Sequence, residues 1–492
     1  MSIYGAMLTV ILILLSFATG TTHAQSLSPS MEIRTVNDLP VPFQNGTVYP
    51  TFDPQPREQL NLGGEWCSQR QHMETQITLD GSDDRLAMIE REAAGRHKED
   101  FDDTGWQTQM LPRPENRLSG SSHAGAAERF EGGVWYRRRF TVPQEWVGKA
   151  VTLKFLAVSY VADVWINDIW IGVHEGGYTP FAFDVSNALR YGASNTIAVR
   201  VHNIPWGSRP DTVPAVAGTD FFNYTGIIGE VYLEAAPACH IVRTQIVPQD
   251  TLGTLQIDVV LRNASREQHT AQLELEAYEA DPRHPAFLTD PRADRIAGQQ
   301  VSMTNNATCS LELAPGQIIA RRFEVQIPSP RLWSPSQPHL YVLKVGMTTN
   351  REQADTLWTQ FGVRTLATKG HLLLLNDEPI FLKGIARHEE WPDTGRTATW
   401  DRIRRDLEII LDLGANYVRT AHYPNHPYTY LLTDRLGLSA IPEIPVWQFD
   451  EMHFFAQEKR PVAEQMWREM IYTLFNRPSI LMWSTNNEGR EV

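Results

Sequence analysis

Residues 416–443 read NYVRTAHYPNHPYTYLLTDRLGLSAIPE and hold one complete strand–helix–strand unit. A short strand is predicted over Asn416 to Arg419. Pro427 opens a helix with Leu431, Leu432 and Leu436 on one face, and Leu438 to Ile441 predicts the next strand. Two strands joined through a helix run parallel, because the crossover returns the chain to the same end of the sheet. The pattern extends both ways. Upstream, Ile380 to Gly384 predicts a strand, then a helix from Trp400 to Leu413 turns Ile403, Leu407, Ile410 and Leu411 inward, with Gly414 closing it. Downstream, a helix from Val462 to Phe475 buries Met466, Trp467, Met470, Ile471 and Leu474. Pro478 stops it, and Ile480 to Trp483 predicts a fourth strand. Residues 367–492 are therefore expected to form a parallel sheet, either open or the first half of a (β/α)8 TIM barrel.

The chemistry sits where those strands end. Arg387-His388-Glu389-Glu390-Trp391 follows the first, Arg419, His422, Tyr423 and Asn425 the second, Glu443 the third, and Asn487-Glu488 the fourth. In a parallel barrel these loops share the C-terminal face, where catalysis resides. Each residue alone has an ordinary reading, a hydrogen-bonded histidine or a solvated glutamate. Together, at four consecutive strand ends, they point to an ionisable site. His422-x-x-x-His426 has the spacing of a metal pair, but Pro424 and Pro427 keep it off a helix, so no metal site is expected.

Before the barrel the chain reads as β. From Asn61 to about Glu234, short alternating runs such as Trp135 to Phe140, Val151 to Phe155, Val161 to Asn167 and Thr196 to Val201 are separated by Gly, Pro, Asn and Asp, with no helical run between them. This predicts a jelly-roll β-sandwich within residues 25–238. Residues 239–366 repeat the style with Gln256 to Arg262, Gln272 to Tyr278, Ala320 to Ile327 and Leu340 to Met347, the size of an immunoglobulin-like sandwich. Asp281 to Arg295 is expected to be an exposed loop. At the start, Met7 to Ala18 is an apolar run too short to span a bilayer, and Thr22-His23-Ala24 suits signal peptidase. Residues 1–24 therefore read as a signal peptide, giving a secreted or periplasmic protein without stable membrane insertion. The lack of Lys or Arg before the run leaves an uncleaved anchor as the alternative.

Composition bounds the rest. The 492 residues suggest about three domains. A net charge of -14 excludes nucleic acid as a partner, since nothing would neutralise phosphates. Three distant cysteines, Cys67, Cys239 and Cys309, give neither a disulfide framework nor a zinc site. Asn45, Asn223, Asn263 and Asn306 each begin a glycosylation sequon, relevant only in a eukaryotic source.

Four motifs carry a resemblance. They are Arg419-Thr420-Ala421-His422-Tyr423-Pro424, the run Asn476 to Ser484 leading to Asn487-Glu488, and in the sandwich His174 to Phe181 and Asp220 to Ile227. The chain resembles glycoside hydrolase family 2, the β-galactosidase and β-glucuronidase family, and the sandwich motifs resemble the β-glucuronidase branch. The resemblance implies that Glu488 is the general acid/base and that Asn487 hydrogen-bonds the sugar 2-hydroxyl. It also implies that Asp220 reaches in from the sandwich, that His388, His422 and Glu443 contribute to the sugar site, and that Arg387 and Arg419 orient the carboxylates. The galactosidase branch's magnesium ligands are not matched, because Trp447 and Phe449 stand in their place after Glu443, so no cofactor is expected. Trp391 and Trp447 are candidate sugar-stacking platforms, with core packing as the other reading.

The family's nucleophile belongs near a seventh strand, so no residue up to Val492 is assigned to it. The expected function is a retaining exo-β-glycosidase acting on a carbohydrate substrate. The alternatives are a catalytically incomplete fragment, a sugar-binding pseudoenzyme, or half of a complementing pair. Galactose, glucuronate, mannose and galacturonate all remain open as the sugar, and a homo-oligomer is compatible with the sequence.

Overall fold

A computed structural model describes residues 30–118, 128–304, 307–349 and 352–490. Residues 1–24, expected from the sequence to be a signal peptide, and the sequon residue Asn306 lie outside them. The fold is multidomain, two β-sandwiches followed by a partial α/β barrel.

The first sandwich packs a six-stranded sheet, in the order Ile169–Glu175, Val161–Ile166, Ser194–His202, Gly133–Thr141, Gly64–Gln71 and Gln107–Leu111, on a four-stranded one built from Phe181–Asp184, Ala150–Phe155, Val231–Ala236 and Glu58–Asn61. Alternation along each strand sends Trp66, Tyr136, Leu153, Phe155, Phe181 and Val199 into one core. The hairpin at Asn167–Asp168 places both residues at positive φ, 50° and 69°, as a two-residue primed turn requires. Two features differ from the sequence reading. Helices Thr75–Thr78 and Arg85–Ala93 lie inside the region expected to be helix-free, and Arg85 is held by a buried bidentate pair with Asp163 at 2.7 and 3.0 Å. The opening strands Met31–Val36, Leu39–Gln44 and Thr47–Val48 form a separate sheet. Its Leu39, Val41, Phe43 and Val48 pack on Val242, Val260 and Ala320 of the second sandwich.

The second sandwich sets Cys239–Pro248, Thr254–Asn263 and Ile318–Gln326 against a five-stranded sheet centred on His269–Ala280 and Tyr341–Thr349. The segment expected to be a loop after Asp281 contains short helical turns Pro285–Leu288 and Asp294–Ile296, because Phe287 and Ile296 are buried beside Trp333.

In the barrel, β1 (Gly384–Ala386), β2 (Tyr417–Thr420) and β3 (Ser439–Pro442) pair in parallel, with Ile385 opposite Val418 and Val418 opposite Ala440. β1 starts at the end of the predicted run rather than within it. A Cβ at Gly384 would fall 1.8 Å from the Tyr417 ring, so the crossing admits only glycine. Helix α1 (Trp400–Asp412) is capped by Thr399 and buries Trp400, Ile403, Leu407 and Ile410. Helix α2 (Pro427–Leu436) ends at Gly437 in the left-handed conformation. α3 (Glu451–Lys459), absent from the sequence reading, precedes α4 (Val462–Thr473). The predicted fourth strand is replaced by single parallel bridges, Ile480 to Ala440, Ser484 to Glu443 and Asn487 to Trp447. Among the described residues no helix is long and apolar enough to cross a membrane.

The domains interlock through α4. Glu469, fully buried, accepts hydrogen bonds from Gln44 Nε2 (2.7 Å), from the His174 ring through Nε2 (3.0 Å) and from Thr179 Oγ1 (2.5 Å). Arg460 pairs with the buried Glu175. The His174 to Phe181 motif therefore serves as the seam that fixes the sandwich to the barrel.

Candidate active site

The seam delivers one sandwich loop to the barrel mouth. Phe221, 5% exposed, lies against Tyr423 (ring centroids 5.2 Å apart), His388 (5.8 Å) and Trp206 (5.2 Å). Burying an aromatic ring there anchors the loop, and the adjacent Asp220 is carried to the two histidines. Its Oδ2 stands 3.8 Å from His422 Nε2 and 4.0 Å from His388 Nε2.

Beneath this trio runs a polar ladder. His422 Nδ1 meets Glu443 Oε1 at 2.8 Å, and Arg419 donates to Glu443 Oε2 through Nε (3.0 Å) and Nη2 (2.5 Å). Ser484 Oγ donates to the same oxygen at 2.5 Å. Burial alone would raise the Glu443 pKa, but the hydrogen bonds from His422, Ser484 and Arg419 and the Arg419 charge hold it below the usual carboxylate range. With Glu443 ionised and accepting, His422 donates through Nδ1 and turns its other ring nitrogen, Nε2, towards Asp220. Burial pushes the His388 imidazolium down, partly offset by Asp220, so it too favours the neutral form. Arg419 Nη2 also donates to Asn487 Oδ1 at 3.0 Å, which fixes that amide with its NH2 left to donate.

Glu488 ends the ladder. It is exposed, sits at φ +50°, and accepts from Gln448 Nε2 at 2.7 Å. Gln448 is itself at φ +51° and donates its backbone N–H to the Asn487 carbonyl at 2.8 Å. Two neighbouring non-glycine residues in the left-handed region store strain of a kind that clusters at functional sites.

Arg387 lies behind the site, bound to Asp406 (2.8 Å), Glu389 (3.1 Å) and Asn425 (2.8 Å). Trp391 is half-buried, with the Arg387 and Arg402 guanidinium groups 5.5 and 5.9 Å from its ring. Trp447 is 7% exposed and packs in the barrel core, so its ring offers no open face; its backbone, paired with Asn487, is what reaches the site. His426 is separate from His422, bonding Glu230 at 2.8 Å.

Three contributors had no role assigned from the sequence, Glu389 and Glu390 among the strand-end residues and Gln448 outside them. Glu390 accepts from the Phe222 backbone N–H (3.3 Å) and from Tyr423 OH (3.2 Å), tying the Asp220 loop to the barrel, and burial raises its pKa despite those bonds. Glu389 accepts from His426 N (2.6 Å) and Thr429 Oγ1 (2.9 Å) and braces the β2 loop. Gln448 holds Glu488. The acidic pair beside His388 was a visible signal; the distant partners were not. A cavity of about 220 Å³ between Arg129, Glu131, Trp206 and the 217–223 loop opens beside Asp220.

Comparison with known proteins agrees with this arrangement. Residues 123–237, 239–364 and 366–491 match, in order, the sugar binding domain of glycosyl hydrolases family 2, the domain described as glycosyl hydrolases family 2, and that family's TIM barrel domain. A β-galactosidase of Thermoanaerobacter pseudethanolicus is 28% identical over 79% of this chain and 48% of its own length. The β-glucuronidase of Sus scrofa is 27% identical over 91% of this chain and 66% of its own. The crystal structure of Bacteroides uniformis β-glucuronidase superposes with a TM-score of 0.70 at 26% identity, covering 88% of this chain and 47% of that one. The chain thus spans about half the length of several relatives it matches. Matched by family profiles from residue 123 to 491, the chain belongs to glycoside hydrolase family 2.

Proposed function

We propose that this chain supplies the glycone-recognition face and the general acid/base of a retaining exo-β-glycosidase of the β-glucuronidase type. The observation that carries the reading is the hydrogen-bonded ladder from His422 through Glu443 and Arg419 to Asn487, with Asp220 facing His422 at 3.8 Å and Glu488 next along the chain. Its acceptors and donors alternate as a polyhydroxylated ring requires. Asp220 accepts from hydroxyls beside the Nε2 of His422, and the Asn487 amide donates to one near the reacting carbon. Glu488 protonates the departing glycosidic oxygen and then deprotonates the incoming water. Glu443 spends both oxygens on His422, Arg419 and Ser484, so it orients and does not attack. Retention requires a second carboxylate about 5–5.5 Å from the acid, beyond those assigned here. The matched β-glucuronidases support glucuronides as the substrate class, and the 1–24 segment supports export.

The test is proton NMR of the first sugar released from an aryl β-glucuronide by the complete natural protein. Initial appearance of the β-anomer supports the reading. An initial α-anomer means inversion and overturns it, and no turnover of any β-glycoside favours the sugar-binding alternative.

A further inference from the structure

We propose that Asp220, His388 and His422 form a binding site for a divalent transition-metal cation of the zinc class, which competes with the sugar for the same cluster. One ligand atom from each residue lies within 4.8 Å of the other two. Tetrahedral zinc, with bonds of about 2.0–2.1 Å, sets neighbouring nitrogen and oxygen ligands roughly 3.4 Å apart. The two gaps from Asp220, 3.8 and 4.0 Å, therefore need a closure of about half an ångström, and the two imidazole nitrogens, within 4.8 Å of each other, draw together with it. Asp220 has the freedom to make it, its side chain being 57% exposed.

The second observation is independent of that spacing. His422 is 8% exposed, yet among the described residues its Nε2 has no hydrogen-bond partner and faces the Asp220 carboxylate at 3.8 Å. Glu443 holds the proton on the opposite nitrogen at 2.8 Å, and Arg419 and Ser484 fix Glu443 in turn. A carboxylate behind an imidazole, setting the tautomer and raising the basicity of the far nitrogen, is the support that metal-bound histidines use. His388 lies beside His422 with ring centroids 5.2 Å apart and planes 80° apart, supplying the second imidazole. Two nitrogens and one oxygen select zinc or copper over magnesium and calcium, which prefer all-oxygen shells. Three protein ligands leave a fourth position for water. Residue spacing does not reveal this trio, because the ligands come from two domains and no two lie close along the chain.

The metal claim rests on these three side chains alone. The competition claim rests also on reading the cluster as the glycone site, and the experiment separates the two. Zinc chloride is titrated calorimetrically into the full chain in a non-chelating buffer at pH 7.5. The expected result is one site in the micromolar range, weakened at least tenfold by Asp220→Asn and by His388→Ala and unchanged by the surface control His72→Ala, with no heat from magnesium chloride. Asp220→Asn alters an exposed side chain, so loss of fold does not confound it. Zinc binding that survives both substitutions, or none below millimolar concentration, overturns the metal site. Repeating the titration with methyl β-D-glucuronide should raise the apparent zinc Kd. An unchanged Kd, with binding still dependent on the trio, overturns competition and leaves the metal site standing.

Discussion

Replacing Glu443 with glutamine removes one charge and changes little volume, yet it should disturb the whole ladder. Its carboxylate accepts from His422 Nδ1, from Arg419 twice and from Ser484. An amide offers one oxygen, so its NH2 must face either His422 or the Arg419 and Ser484 donors. Facing Arg419 puts donor against a charged donor. The amide therefore turns its nitrogen to His422, which must move its proton to Nε2 to accept. Hydrogen bonds to charged groups contribute about 1.5–3 kcal/mol each, and with one oxygen still serving Arg419 the net loss should be about 2–3 kcal/mol. Urea unfolding monitored by tryptophan fluorescence reads that loss. Because the folded Glu443 pKa is depressed, its contribution is full above the ordinary carboxylate pKa and is lost as pH falls through the folded value. The difference between wild type and Glu443→Gln should accordingly shrink in acid. Nitrogen-15 shifts of His422 should report the proton moving from Nδ1 to Nε2, and zinc affinity should fall with it. Equal unfolding midpoints at neutral pH and an unchanged His422 tautomer would refute the ladder.

Phe221→Ala should cost about 3–4 kcal/mol, since a ring buried among Tyr423, His388 and Trp206 leaves a cavity, and should raise KM for a glycoside by releasing the Asp220 loop. Glu469→Leu should cost about 3–5 kcal/mol by stranding the buried His174 and Gln44 donors, and limited proteolysis should then separate the sandwich from the barrel; an uncleaved variant of wild-type stability refutes the seam. His202 is buried beside Thr78 and its pKa is lowered by burial to about 3, so its stabilisation is complete above the ordinary histidine value and is lost as pH falls towards 3. His202→Asn should flatten stability between pH 6 and pH 4, and an unaltered acid-unfolding curve would remove that assignment.

The barrel was legible where packing writes itself into the sequence. Ile403, Leu407 and Ile410 recur at helical spacing because that stripe is what α1 buries. α3 escaped notice because it buries no residue and so has no stripe; the Asp450–His453 capping box holds its start. The first strand was misplaced because Ile380 belongs to a hairpin, donating to the Leu373 carbonyl, while Gly384 and Ala386 pair with β2. The fourth run, Ile480 to Trp483, has a strand's composition but forms only single bridges with its neighbours. Within the site, the strand-end residues were visible as a set, and the structure brings Asp220, His388, His422, Glu443, Arg419 and Asn487 into one connected group. Burial of Trp447 and the tie from Glu390 to Phe222 depend on contacts between domains, which spacing along one chain does not encode.

The central claim, that Glu488 donates the proton to the leaving group, is tested most directly by Glu488→Gln in the complete natural protein. Aryl β-glycosides with good and poor leaving groups would be compared under single-turnover conditions. General acid catalysis is worth about 10²–10⁴-fold, so the poor leaving group should lose about that much while the activated one loses far less. Equal loss on both substrates would contradict the assignment.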